Sequence, residues 1–239
     1  MEWQCLDTGR RSAVENMAID QRLLETLDPY GVPILHLYEW EGASATYGYF
    51  TNPDHYLHAD AVAQCELQLA RRPTGGGIIF HTTDFAFSLL IPSGHPEFSL
   101  NTLENYAFVN GLVLRAIEAF SGRSVVGELL QKEQGEGVGT RSCCNFCMAK
   151  PTQYDVMVGG RKVGGAAQRR TKAGYLHQGS IALRIPEKTL LVSVLKEEAV
   201  VASMQKNSFC LLEGEAGERE MVEARIELRR LLSEQLIHK

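Results

Sequence analysis

Residues 67–92, Leu-Gln-Leu-Ala-Arg-Arg-Pro-Thr-Gly-Gly-Gly-Ile-Ile-Phe-His-Thr-Thr-Asp-Phe-Ala-Phe-Ser-Leu-Leu-Ile-Pro, read as strand, glycine turn, strand, strand, and so form the β centre of the chain. Three consecutive glycines between strands cost conformational entropy unless the backbone needs unusual dihedrals or a ligand must approach its amides closely. Arg71, Arg72, Thr74 and the exposed amides of Gly75, Gly76 and Gly77 suit a phosphate or carboxylate. An ordinary hairpin turn with surface arginines fits the same residues, and this stretch alone leaves both readings open. Neither Gly75-Gly76-Gly77 nor Gly135, Gly137 and Gly139 forms a P-loop or dinucleotide fingerprint.

Upstream, Ser12-Ala13-Val14-Glu15 has the form of a capping box, and Val14, Met17, Ala18, Leu24 and Leu27 follow at helical spacing. Pro33 to Trp40 and Ser44 to Phe50, parted by Glu41-Gly42-Ala43, predict a pair of adjacent strands, with a short helix from Tyr56 to Gln64 after them. Downstream, Asn101 and Glu104 cap a long helix whose apolar face runs from Tyr106 to Phe120. Gln131 to Ser142 reads as a mobile loop. Tyr154 to Val158 and Arg161 to Gln168 flank a Gly159-Gly160 hairpin turn, His177 to Arg184 is a further strand, and Met221 to Leu232 marks a last helix. Adjacent hairpins interleaved with helices predict an α+β fold with a mixed, largely antiparallel sheet flanked by helices.

The 239 residues, 44% apolar and 22% charged, exclude a disordered or fibrous chain. Lys+Arg 24 against Asp+Glu 29 gives a net charge of −5, so no general basic footprint for nucleic acid exists. The N-terminus has no secretory pattern and no stretch reaches membrane-span length; a cytoplasmic protein without membrane contact is expected. Cys5, Cys65, Cys143, Cys144, Cys147 and Cys210 are then expected to be mostly reduced. Cys143-Cys144-x-x-Cys147 lacks a second ligand pair, so no metal site is expected, and one of the three thiols is a candidate nucleophile. Lys162 lies among small residues in Gly160-Arg161-Lys162-Val163-Gly164-Gly165-Ala166-Ala167-Gln168, from which an ammonium could project into a cleft; a charged edge strand is the plain alternative. His81 and His177 adjoin glycine-rich segments.

In this order and spacing, Glu15 to Asp20, Tyr38-Glu39-Trp40, the Arg71 to His81 segment, Tyr154-Asp155-Val156 and Gly160 to Gln168 resemble the lipoate-protein ligase and lipoyl(octanoyl) transferase family, related in catalytic fold to biotin-protein ligases. The resemblance implies that residues 1–239 form a single ligase-like catalytic domain without a separate C-terminal accessory domain. It implies Lys162 at the reacting carbonyl or phosphate oxygens, and Arg72, Thr74, Gly75, Gly76, Gly77, His81, Gly165, Ala166, His177 and Gly179 as substrate- or adenylate-binding positions. The first expectation is a lipoate-protein ligase that uses ATP and Mg²⁺ to make an acyl-adenylate of lipoate or octanoate and passes the acyl group to a lysine. The acceptors would be lipoyl domains of 2-oxoacid dehydrogenases and the glycine-cleavage H protein. The alternative is an octanoyltransferase with Cys147 as nucleophile and acyl carrier protein as donor; Pro151 and Tyr154, after Cys147, resemble that enzyme, and Thr82 departs from the Asp of many ligases. A non-catalytic binder of lipoyl domains or acyl groups is the reading from another class.

Overall fold

The computed structural model describes residues 2–122, 125–131, 146, 148–149, 151–212, 214 and 217–237. The predicted loop from Gln131 to Ser142 falls outside them apart from Gln131, as do Cys143, Cys144 and Cys147.

Two sheets share the chain. The larger has seven strands in the order β1 (Gln4–Arg11), β2 (Ile34–Trp40), β6 (Asp84–Pro92), β10 (Gly174–Ala182), β9 (Arg161–Arg170), β8 (Val156–Val158), β7 (Gly127–Leu129). Only β1 and β2 run parallel; the other neighbours are antiparallel. The smaller has the order β4 (Gln68–Arg71), β3 (Ser44–Tyr47), β5 (Ile78–Phe80). The architecture is the expected α+β one, with a mixed and mostly antiparallel sheet flanked by helices.

Helix α1 (Ala13–Glu25) starts at Ser12, whose side chain accepts from the Glu15 amide while Glu15 returns a bond to the Ser12 amide, which is the expected capping box. Asn101 caps α3 (Thr102–Phe120) by accepting from the Leu103 amide. α3 and α6 (Glu218–Ile237) lay Val109, Leu112, Ile117, Leu228 and Leu232 over one face of the large sheet, against Leu35, Leu37, Phe87 and Ile181. α1 covers the opposite face through Ala13 and Met17 on Tyr38, Ala70 and Ala86. The small sheet has its own core, in which Ala45, Ile78 and Phe80 meet α4 (Lys188–Val194) and α5 (Glu198–Asn207), two helices that periodicity did not predict; α2 (Ala59–Gln64) packs against this core. Among the described residues no helix is long and apolar enough to cross a membrane.

The predicted pairing of Pro33 to Trp40 with Ser44 to Phe50 is corrected. β2 buries Leu35 and Leu37 on one face and His36 and Tyr38 on the other, so it needs a central place, and β1 and β6 occupy both its edges. Gly42, at φ +80°, turns the chain out of the large sheet, and β3 begins the small one. The glycine segment is therefore not a hairpin turn either, because β3 lies between β4 and β5.

A buried carboxylate ties these layers together. Asp20 of α1 is fully buried; its Oδ1 lies 2.7 Å from His36 Nδ1, while its Oδ2 accepts from Ser88 Oγ and from Gln178 Nε2, each at 2.6 Å. One side chain thus fixes α1 to β2, β6 and β10. Asp20→Ala leaves buried donors without an acceptor and is expected to lower unfolding free energy by about 3 kcal/mol. Urea denaturation with an unchanged m-value checks this.

Candidate active site

Strand β9 carries the central side chain through an irregularity. Val156 pairs with Gly164 and Met157 with Lys162, so Val163 is an extra residue in β9, a β-bulge. Val163 joins the core under α3. Gly165, beyond the bulge, pairs with Ser180 on the cleft face. Strict alternation from Gly165 would place Lys162 on the α3 face; the extra residue returns it to the cleft.

Lys162 is 3% exposed, and its Nζ makes a salt bridge with Asp155 Oδ2 at 2.7 Å. Asp155 is equally enclosed and its Oδ2 also accepts from the Thr152 amide (2.6 Å) and Thr152 Oγ1 (3.0 Å). Tyr154, just before it, sits at φ +66°, a conformation that costs on the order of 1 kcal/mol for a non-glycine residue. Its carbonyl accepts from the buried Asn110 of α3 at 2.8 Å, and its amide donates to Leu130 O at 2.7 Å. Gly165 leaves room for the lysine: a Cβ there would stand 2.3 Å from Lys162 Cε, 2.5 Å from Nζ and 2.8 Å from Asp155 Oδ1. Asp155 belongs to the Tyr-Asp-Val motif but was not among the expected site residues; its signal was a lone carboxylate shortly before a lysine that had to be buried.

The lysine opens on a narrow cleft. Met17, Ile79 and Met148 give it apolar walls, β9 contributes Gly165, Ala166 and Ala167, and Tyr38, Thr46, His81, Gln178 and Ser180 add polar groups. An elongated apolar ligand with one reactive polar end matches this lining. Gly179 also borders the cleft, but the position a Cβ would take is 2.3 Å from the Phe87 ring on the other side of the sheet.

Arg72 is 5% exposed and turned onto the glycine loop. Nη1 donates to Thr46 O and Oγ1, and Nη2 donates to Gly75 O at 3.0 Å and Gly77 O at 2.9 Å. The loop in turn crosses over residues 48–51: Tyr49 N donates to Thr74 O, Gly48 N to Gly77 O, and Thr51 Oγ1 to Gly76 O. A Cβ on Gly48 would stand 1.9 Å from Gly76 O, and Gly76 has φ +88°, so both positions call for glycine. Thr74 Oγ1 donates to Gln178 Oε1 at 2.7 Å, which links the loop to Asp20. His81 Nδ1 lies 2.7 Å from Asp84 Oδ2, its Nε2 2.8 Å from Thr46 Oγ1, and its ring stacks on Trp40 at 4.2 Å. Ser180 Oγ donates to the same Asp84 oxygen.

Of the expected positions, Lys162, Arg72, His81, Gly165, Ala166 and Gly179 come together around the cleft, and Thr74 with Gly75, Gly76 and Gly77 forms the loop that Arg72 anchors. His177 does not join them. Its side chain is fully buried on the opposite face of β10, stacked on Phe87 and bonded to Gln168 Nε2 at 2.8 Å. Cys147 lies outside the described residues; of its neighbours, Phe146 is buried beside Ile78 and Met148 lines the cleft.

Residues 12–223 match the lipoyl protein ligase A/B catalytic domain. The chain belongs to that family. It is 31% identical over 208 residues to octanoyltransferase LipM of Bacillus subtilis, covering 86% of this chain and 74% of that protein. With octanoyltransferase LipM of Halalkalibacterium halodurans it shares 30% identity over 210 residues, 86% and 75% of the two chains. The fold is similar to that of a bi-partite lipoate protein ligase from Thermoplasma acidophilum, with a TM-score of 0.73 at 21% identity over 99% of this chain and 84% of the other. Lipoate-protein ligase A bound with ATP gives a TM-score of 0.71 at 22% identity, over 99% and 86%.

The family and these relatives support catalysis of lipoyl or octanoyl transfer, and they correct the first expectation. The sequence relatives are octanoyltransferases, so the ATP-dependent ligase, with ATP and Mg²⁺ as its requirements, is overturned. In the structure the Arg72 guanidinium is engaged by the loop's own carbonyls, and Gly76 at φ +88° is the position whose backbone calls for glycine.

Two measurements test the local account. Gly165→Ala presses a Cβ against both Lys162 and Asp155 of the buried pair, so transfer activity is expected to fall by about a hundredfold and the melting temperature to fall with it. Burial lowers the His177 pKa to about 3, below its ordinary unfolded value. The unfolded chain therefore takes up a proton that the native state refuses. This removes about 1.4 kcal/mol of stability per pH unit as pH falls from about 6.5 toward 3, and a His177→Gln variant is expected to show a correspondingly flatter stability profile.

Proposed function

We propose that the protein moves an octanoyl group from an acyl carrier protein to a lysine of a lipoyl domain, with Cys147 as the intermediate acyl acceptor. The observation that carries this reading is the buried Lys162 beside an apolar cleft, in a chain whose relatives are octanoyltransferases.

In the first half-reaction the Cys147 thiolate attacks the thioester carbonyl, a C–S bond forms, and the carrier thiol leaves with its electron pair and takes up a proton. In the second, the acceptor lysine amine attacks the new thioester, the amide forms, and the proton lost by the amine returns to the Cys147 sulfur. Negative charge develops on the carbonyl oxygen in both steps. A fixed ammonium at that oxygen stabilises both transition states, which is the role proposed for Lys162. Asp155 acts as a positioning residue that holds the lysine. The apolar walls at Met17, Ile79 and Met148 receive the acyl chain and keep water from the thioester. The 2-oxoacid dehydrogenase lipoyl domains and the glycine-cleavage H protein are the acceptors of this reading.

The test is intact-mass analysis of an apo lipoyl domain incubated with octanoyl acyl carrier protein. An octanoyl mass gain on the acceptor is expected without ATP, accompanied by an acylated form of the enzyme, and both are expected to vanish in Cys147→Ala. Transfer that survives this substitution would overturn the thiol route, and binding of the lipoyl domain without any mass gain would leave a non-catalytic binder.

A further inference from the structure

The acyl cleft has a direction. Lys162 and Gly165 stand at one end, where Gly165 pairs with Ser180; two residues further along the same strands, about 7 Å away, Ala167 pairs with Gln178. An octanoyl chain extended from its carbonyl is of that order of length. An adjoining space behind Ile79 and Met148, bordered by Met204 and Cys210, meets the cleft at the lysine end, since Ser208 lines it and bridges to Lys162. A chain laid along β9 from a carbonyl at Lys162 therefore runs away from that space and toward Gln178.

At the Gln178 end stands Met17 of α1. It is 4% exposed and borders two spaces at once, the cleft on one side and an open groove with Tyr49, Leu69 and Arg169 on the other, so it forms a wall between them. Among the described residues Arg72 alone shares both linings with it, and Arg72 is committed to the glycine loop. A methionine has three rotatable bonds and by itself makes a poor barrier. Here it is held. Gln178 Nε2 donates one proton to Met17 Sδ at 3.3 Å and the other to Asp20 Oδ2 at 2.6 Å, while Gln178 Oε1 accepts from Thr74 Oγ1, which fixes the amide. Ala13, Tyr38, Ala70 and Ala86 pack with Met17.

We propose that Met17 is the stop against which the methyl end of the acyl chain rests, and that it sets the length of acyl group the protein accepts. The inference rests on the octanoyl-transfer reading and adds the residue that determines its specificity. Each methylene laid along the apolar walls strengthens binding by about fourfold until the chain meets Met17, and the next one has no volume to enter. Shortening residue 17 joins the cleft to the groove and lets longer chains through; enlarging it fills the end of the cleft.

The experiment measures kcat/KM for enzyme acylation by the N-acetylcysteamine thioesters from hexanoyl to dodecanoyl, in wild type and in Met17→Ala, Met17→Val, Met17→Leu and Met17→Phe. In Met17→Ala the decanoyl-to-octanoyl ratio is expected to rise at least tenfold, as two further methylenes find room at about fourfold each. Met17→Val is expected to move the optimum the same way by less, Met17→Phe to move it toward hexanoyl, and Met17→Leu to leave it in place. These three keep the test if the alanine variant does not fold. Cys210→Leu, which fills the adjoining space, is expected to leave the optimum unchanged. An optimum that stays at octanoyl in both Met17→Ala and Met17→Val, or one that moves in Cys210→Leu, overturns the assignment. If no thioester acylates the protein, the transfer reading fails; calorimetric titration of the Cys147→Ala protein with the free fatty acids from hexanoate to dodecanoate then reads the same preference, and a preference that follows residue 17 upholds the stop while any other result overturns it.

Discussion

A buried ammonium is costly unless a counter-charge stands beside it, and the irregularities around β8 and β9 accompany the burial of Lys162 against Asp155. Removing both charges from water costs several kcal/mol per ion in effective terms, so the pair needs close geometry and further hydrogen bonds to be tolerated. Thr152 supplies those bonds to Asp155, and Asn110 holds Tyr154 in a left-handed conformation that aims the carboxylate inward. On the lysine's own strand, the Val163 bulge turns the side chain to the cleft and Gly165 vacates the volume it occupies. Each departure from regular strand geometry is costly by itself. Together they place one cation at the end of an apolar space.

A second set of buried polar groups keeps the cleft walls in register. Asp20 joins α1 to three strands, Gln178 carries that network to Thr74, and Arg72 fastens the glycine loop to β3. The cleft therefore lies between two sheets whose main apolar cores are separate, joined by these hydrogen bonds and by the small cluster of Met17 with Tyr38, Ala86 and Ala70. Such directional contacts suit a site in which positions must be held to a fraction of an ångström.

Local signals in the sequence were legible where chemistry is local. The capping box at Ser12, the cap at Asn101 and the Gly159-Gly160 hairpin depend on near neighbours, and they form as the pattern reads. Partner choice is not local. β2 and β3 carry similar aromatic patterns, yet they belong to different sheets because β1, with its largely exposed polar sequence, competes successfully for the edge of β2. The face of a residue after a bulge is equally hidden: one extra residue decides that Lys162 meets the cleft, and strand alternation places His177 on the far side. Arg72 shows the limit of reading composition as chemistry, since an arginine beside glycines suggests anion binding until its donors are seen on the loop's own carbonyls.

The same placement explains how one cleft can serve two proteins in turn. In the proposed reaction the acyl chain stays against Met17, Ile79 and Met148 from the first attack to the second, while only the group bonded to its carbonyl changes. The oxyanion then forms at the same place both times, so one fixed ammonium stabilises both transition states and no rearrangement of the charge is needed between them. The fold itself is shared with ligases that share little sequence with this chain.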